Sequence, residues 1–390
     1  LLASGSEVPR YDRLIEWEDG KPVYAQWYYG PQAWVMNRVS ITHRGRHGWY
    51  DKARLLVAHQ DFEESRNDRK FNGEWLRQRT EKVAAYSINL DAHREWNQAV
   101  TLFYGLEGVW NDVNSSAIAQ NILTGEEVPA STRYPDGTNS YRTLAGYLHM
   151  KYKPMGKVTF HAGARYSFAE LSSTIIDNSF YQLPFDRIDL SNSAVNGSLG
   201  LVYRPSEPWQ FNLNVASGFR APNLDDAGKV FDSEPGNVVV PNPNLGPEYV
   251  YNLEAGVVFR REERLRADVD AFYTFVEDVM VRSDFSINGL DSILYDGAMS
   301  RVQALVNAGQ ARIYGLSFSG FWQWGTHWSI HQQVTWMNGH TLREDEPLQH
   351  VPPVYGRTAV NWKNEQVRLT AYADYNGWKR WEDMAPSEQA

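Results

Sequence analysis

The feature that most constrains this chain is the rhythm of its connections. Read for the two-residue alternation of apolar and polar side chains, the sequence predicts about fourteen strands. They fall near 30–43, 50–61, 78–91, 97–113, 141–153, 157–171, 193–204, 208–219, 248–261, 265–280, 301–324, 327–338, 354–363 and 366–375. Short connections near 44–49, 92–96, 154–156, 205–207, 262–264, 325–326 and 364–365 alternate with long ones at 62–77, 114–140, 172–192, 220–247, 281–300 and 339–353. Because successive strands reverse direction, every short turn then lies at one end of a sheet and every long loop at the other. The implied topology is an antiparallel up-and-down meander with one plain end and one elaborated end.

Most strands have a two-sided character. Val158, Phe160, Ala162, Ala164, Tyr166 and Phe168 oppose Thr159, His161, Gly163, Arg165 and Ser167, and Leu265, Val269 and Tyr273 oppose Arg266, Asp268 and Asp270. A soluble sandwich turns such an apolar face inward, whereas an outer-membrane barrel turns it toward lipid and lines a wet lumen with the charges. Alternation alone does not separate the two. The number and length of the strands, and indoles near strand ends (Trp34, Trp49, Trp75, Trp96, Trp110, Trp209, Trp322, Trp324, Trp328 and Trp362), favour the barrel, because indoles settle at the lipid–water boundary. A β-propeller would need a repeating blade, and no self-similar period occurs. No run approaches the roughly 20 apolar residues of a membrane helix. The fold class expected is therefore all-β, an antiparallel up-and-down transmembrane β-barrel.

Composition bounds the partners. A net charge of −9 without a basic stripe excludes nucleic acid as a general partner. The absence of cysteine removes disulfides and thiolate metal sites. Leu1-Leu2-Ala3 has neither the charged leader nor the apolar length of a signal peptide, so the chain is expected to be mature or a piece.

Catalytic signatures are missing: there is no His-Glu-x-x-His, no Gly-x-Ser-x-Gly elbow and no phosphate-cradling glycine loop. The ten histidines are dispersed. His327 and His331 lie about 13 Å apart at strand rise, and His43 with His47 straddles a turn as a solvated pair. Arg165, Glu254, Arg266, Asp268 and Asp270 read as the polar lining any wet barrel needs. Asp225, Asp226 and Asp232 read as a hydrated acidic loop that could attract a cation. Tyr134, Phe180, Tyr181, Phe185, Phe231 and Phe285 could grip a planar ligand or pack on one another. Neither metal nor cofactor is expected.

The longest loop carries the most information. Phe219-Arg220-Ala221-Pro222-Asn223 opens it and Pro241-Asn242-Pro243-Asn244-Leu245 closes it, with Pro235, Gly236, Gly246 and Pro247 between and after. Prolines at both ends pre-set a shape, and ordered loops of this length commonly carry function.

With these two boxes and a strand bearing Asn307-Ala308 and Ile313-Tyr314-Gly315, the chain resembles TonB-dependent outer-membrane receptors of Gram-negative bacteria over essentially its whole length. The resemblance implies a TonB-energised importer of a scarce iron-containing ligand, sited in the outer membrane among its lipids. It implies ligand contacts at Phe219, Arg220, Ala221, Pro222, Asn223, Asn242, Pro243, Asn244 and Leu245, with Arg220 pairing an anionic group and Phe219 packing. The paired boxes, together with Arg133-Tyr134-Pro135-Asp136-Gly137, look like the haem and haemoglobin branch, in which a histidine between the boxes helps hold haem. The segment 223–241 contains no histidine, which leaves ferric siderophores beside haem. Cobalamin or an oligosaccharide as ligand, a passive porin, and an outer-membrane enzyme are the alternatives. Receptors of this kind have about 22 strands around a plug, and TonB is contacted through that plug. Residues 1–390 are accordingly expected to be a barrel fragment without the N-terminal plug and the C-terminal strands, whose open edges prevent insertion or transport by the fragment alone.

Overall fold

The computed structural model describes all residues except 1, 19, 46, 47, 235, 296, 344, 386, 387 and 390, and all of their side chains except those of 232–234. Leu1, His47, the side chain of Asp232 and Pro235, singled out above, lie outside the described residues.

Fifteen strands form one antiparallel meander. They are β1 (Leu2–Pro9), β2 (Tyr24–Arg44), β3 (Lys52–Lys70), β4 (Trp75–Glu95), β5 (Val100–Asn121), β6 (Asn139–Met155), β7 (Val158–Thr174) and β8 (Arg187–Ser206). There follow β9 (Trp209–Arg220), β10 (Glu248–Arg261), β11 (Leu265–Asp284), β12 (Ala298–Trp324), β13 (Trp328–Thr341), β14 (Tyr355–Lys363) and β15 (Arg368–Asn376). Each pairs antiparallel with the next, with bulges interrupting the register in five of the pairings. Among the described residues the registers give β1 only β2 as a partner, and β15 only β14.

All fourteen expected strands are present, and β1 is added. Its sequence, Leu-Ala-Ser-Gly-Ser-Glu-Val-Pro, has no repeated large apolar group, so its place comes from pairing with β2 rather than from its own pattern. The expected long connection at 62–77 is the other difference. β3 runs to Lys70 and β4 starts at Trp75, because the charges that read as loop pair across the strands instead. Arg77 on β4 makes a bidentate contact to Asp68 on β3 at 3.0 and 2.9 Å, while Arg66 pairs along β3 with Glu64 at 2.9 Å.

The apolar strand face points to the outside. Val195, Leu199, Leu213, Val215, Leu253, Val269 and Leu316 all lie on it and are exposed, Val195 at 74% and Leu199 at 67%. Exposed valine and leucine in unbroken ranks across adjacent strands is the polarity of a barrel solvated by lipid, not of a water-soluble sheet. Aromatics mark the edges of this band. At the turn end, Trp209 meets Phe259 at 4.8 Å and Trp324 stacks on Trp328 at 6.0 Å between centroids. Toward the loop end, Tyr251 stacks on Phe275 at 6.3 Å and Tyr314 meets Trp336 at 5.9 Å. Trp336 lies eight residues beyond Trp328 on β13, which for a tilted strand is about 20 Å of barrel height, close to the apolar thickness of an outer membrane. Trp34 departs from the expected belt: it donates to Gln60 at 3.2 Å and shares the face opposite Tyr86.

The packed core lies in the loops. Leu183, Val230, Val238, Val240, Ile287, Tyr295, Val302 and Ala304 form one buried cluster contributed by the three connections after β7, β9 and β11 and by the start of β12. Leu171, Ile188, Leu190, Leu224, Ala227 and Leu245 form a second beneath it. The connection after β9 adds a small hairpin, Phe231–Glu234 with Asn237–Val239, closed by Gly236 at φ 81°, where a side chain would be strained. Its second strand pairs in parallel with Arg301–Gln303 of β12.

Candidate functional site

The two sequence boxes meet through a one-turn helix, Leu224–Ala227. Asn223 caps it, accepting from the backbone N–H groups of Asp225 at 2.8 Å and Asp226 at 3.1 Å. The Asp226 carboxylate accepts in return from the Asn223 N–H at 3.0 Å, closing a capping box. The Asn242 N–H then donates to the Ala227 carbonyl at 3.2 Å, and Leu224 and Leu245 share the second core cluster.

The second box is fixed from below by β12. Asn242 Nδ2 donates to the Leu305 carbonyl at 2.7 Å, while its Oδ1 accepts from the Asn244 N–H at 3.0 Å. Asn307 accepts from the Gly246 N–H at 2.6 Å and donates to the carbonyls of Gly246 at 3.0 Å and Asp278 at 2.8 Å. Asn307, noticed in the sequence only as part of a strand motif, is thus the main anchor of the returning loop.

Arg220 ends β9 and faces the interior. Its guanidinium bridges Asp226 at 2.5 Å and Glu248 at 3.0 Å, and Glu248 also accepts the Met280 N–H at 2.7 Å. The charge expected to meet a ligand is therefore already shared by two nearly buried carboxylates. Phe219 has the opposite parity and packs on the outer face against Tyr249, 6.4 Å between centroids. Pro222 and Pro241 are fully buried, Asn242 and Leu245 nearly so, and Ala221 and Pro243 half-buried. Among the nine expected contact residues, Arg220, Asn223 and Asn244 are exposed. Gly218, Arg220, Ala221 and Asn223 border a cavity of about 570 Å³ on the inner wall, shared with Tyr141 and with Arg165, which pairs with Glu107 at 2.9 Å.

The loop acids have internal partners. Asp225 accepts from Tyr134 Oη at 2.7 Å, Arg133 at 3.0 Å and Lys229 at 3.0 Å. Burial pushes its carboxyl up, but the hydrogen bonds from Tyr134 and Lys229 and the charge of Arg133 outweigh it and leave the group below the usual carboxylate range. Burial pulls the Lys229 ammonium below its usual value despite Asp225, and pushes the Tyr134 phenol well above its own. The Lys229 ammonium also stands 4.0 Å over the Phe231 ring. Tyr181, Phe185 and Phe285 pack against the first loop cluster and so help to hold the loops together. Asp136 ties the preceding loop across to the next by accepting the N–H groups of Ile176 at 2.8 Å and Asp177 at 2.9 Å. Among the described residues no three His, Cys, Asp or Glu side chains gather as a metal site.

The comparisons with known proteins agree with this architecture. Residues 5–388 match the family described as TonB dependent receptor-like, beta-barrel. The pesticin receptor of Yersinia pestis is 25% identical over 231 residues, which are 56% of this chain and 30% of that protein. The copper transporter OprC superposes with a TM-score of 0.70 at 11% identity, covering 89% of this chain and 52% of the other. The Serratia marcescens hemophore receptor HasR, solved with its hemophore HasA and heme, gives a TM-score of 0.67 at 13% identity, covering 90% and 59%. The chain spans about half the length of these solved relatives. The family's barrels sit in the outer membranes of Gram-negative bacteria, and the outward valines and leucines of this chain suit that position. Matched from residue 5 to residue 388, with a strand polarity that only lipid can solvate, the chain belongs to the TonB dependent receptor-like β-barrel family.

Proposed function

We propose that the protein carrying this barrel segment is a TonB-energised receptor that imports an iron complex, a ferric siderophore or haem, with no covalent chemistry of its own. The observation that carries this reading is the fused loop cap. Three long connections share one apolar cluster above an inner-wall cavity bordered by Arg220, Asn223 and Arg165. A passive pore has no use for a packed cap over its lumen, whereas a receptor needs a shaped one. The relatives' printed names add to it: one receptor is solved with heme and its hemophore, and another is a ferric yersiniabactin uptake receptor.

In this reading the two boxes shape the platform, Pro222, Asn242, Pro243 and Leu245 from within, with Phe219 and Ala221 beside them. Arg220, Asn223 and Asn244 offer polar groups at its surface. Residues 1–390 are then one part of a longer barrel, with TonB contacted through a plug outside this segment.

The test is uptake of radiolabelled iron, presented as haem and as a ferric siderophore, in cells with and without the gene and with and without an active TonB system. Uptake that needs both the gene and TonB is the expected result. Uptake that needs the gene but persists without TonB overturns the reading in favour of a passive pore.

A further inference from the structure

Three of the ten histidines, His93, His149 and His161, are brought by strand register to one place on the inner wall. His93, Phe103, His149 and Gly163 are successive partners across β4, β5, β6 and β7. His161 lies diagonally beside His149 on β7, and His149 Nε2 is 3.2 Å from His161 Nδ1. The wall is recessed beside them. A Cβ on Gly163 would approach His149 Nδ1 to 3.1 Å and Ser198 Oγ to 3.0 Å, so any larger residue there would press on the imidazole and the serine. A groove of about 410 Å³ opens there, lined by Tyr147, His149, Gly163, Arg165, Asn196 and Ser198.

The geometry points to a labile two-imidazole site, His149 Nε2 with His161 Nδ1, for a divalent late first-row transition ion. Two metal–nitrogen bonds of about 2.0–2.1 Å at a near-tetrahedral angle put their nitrogens about 3.3 Å apart, and the observed separation is 3.2 Å. Imidazole nitrogen is a donor suited to zinc, nickel and copper, with copper held most tightly. When both rings are neutral, one ring's N–H lies between them. That ring moves its proton to its other nitrogen, both facing lone pairs become available, and no proton need leave the pair. The groove borders His149, and from that side water or groups of an incoming chelate can reach the ion. Lys151 stands opposite His161 in the register and opposes cation binding, so the site exchanges its ion readily.

The test uses the full-length receptor carrying this segment, prepared without a histidine tag, and Cu²⁺ and Zn²⁺ salts as probes. Paramagnetic resonance during Cu²⁺ titration should show one ion coupled to two imidazole nitrogens. His149→Gln and His161→Gln should each weaken Cu²⁺ binding by about tenfold or more, while His331→Gln leaves it unchanged. Barrel folding is followed by heat-modifiable electrophoretic mobility. A measurement on the unaltered protein stands beside the variants: Zn²⁺ should protect His149 and His161 from diethyl pyrocarbonate, read by mass spectrometry. Folded variants that bind Cu²⁺ as tightly as the parent, or no Zn²⁺ protection of the pair, would overturn the site and leave any uptake adventitious.

Discussion

Replacing Arg220 by alanine separates two roles that this arginine could have. In the structure it clamps the loop, joining the end of β9 to the helix residue Asp226 and to Glu248 directly across the ladder. Removing it leaves two acids, 11% and 13% exposed, without their shared cation. Breaking a buried pair in this way costs about 3–5 kcal/mol. Water reaches half of the Arg220 side chain, 48% exposed, which discounts the loss to about 1–3 kcal/mol. Opening of the loop should then rise about 5- to 150-fold. Hydrogen exchange reads this at the amides of Ala227, Gly228 and Asn242, which donate to Asn223, Leu224 and Ala227. The mid-strand amides of β9 and β10 serve as controls. Arg220→Lys, which can satisfy one carboxylate well and the other poorly, should fall between. Unchanged exchange at these three amides refutes the clamp; if ligand affinity falls in the same variant, Arg220 touches the ligand instead.

Three further outcomes are expected. Leu245→Ala removes a side chain 2% exposed from the second cluster and should cost about 2–5 kcal/mol of loop packing, seen as faster proteolysis after Lys229 with the barrel intact; unchanged cleavage counts against the cluster. The Asp225 carboxyl lies below its usual value, so its contribution is complete above about pH 4 and is lost as pH falls through the lowered folded value. Loop exchange should therefore accelerate only in acid, and Asp225→Asn should abolish that acid limb; an identical limb in the variant removes Asp225 as its cause. Leu199→Arg on the outer face should cost about 2–4 kcal/mol of barrel stability in lipid, while Ser198→Arg on the inner face costs far less by urea titration; equal losses refute the assignment of faces.

The barrel was legible because its faces are simple. Lipid on one side and water on the other impose one alternation on every strand, as in Val269, Ala271 and Tyr273 against Asp268 and Asp270. β1 escaped because Gly5, Ser4 and Ser6 carry no such signal and its order is borrowed from β2. The loop after β9 was legible as shaped, through its prolines, but its contents were not. Its helix and hairpin depend on partners at 171–190 and 285–307, far away in sequence. The same distance hid the Arg133–Asp225 bridge, which spans 92 positions, whereas the His149–His161 pair, 12 positions apart, needed the β6–β7 register to be seen. Residue type marked Arg220 as charged and available, but the two acids that occupy it come from elements whose approach only the fold decides.

The parallel pairing of Asn237–Val239 with Arg301–Gln303 has a mechanical consequence. β12 is 27 residues long and runs without a break from this contact to Trp324 at the turn end. Near its loop end it is also laddered to Ser292–Tyr295 and to the last residues of β11. Tension directed along β12 loads all these hydrogen bonds at once, in shear, rather than peeling them apart in sequence. The cap therefore resists a pull along the strand far better than a pull away from it. Any force that lifts it must act from the side, on the connections after β7 and β9, while β12 behaves as a stiff tie between the two mouths of the barrel.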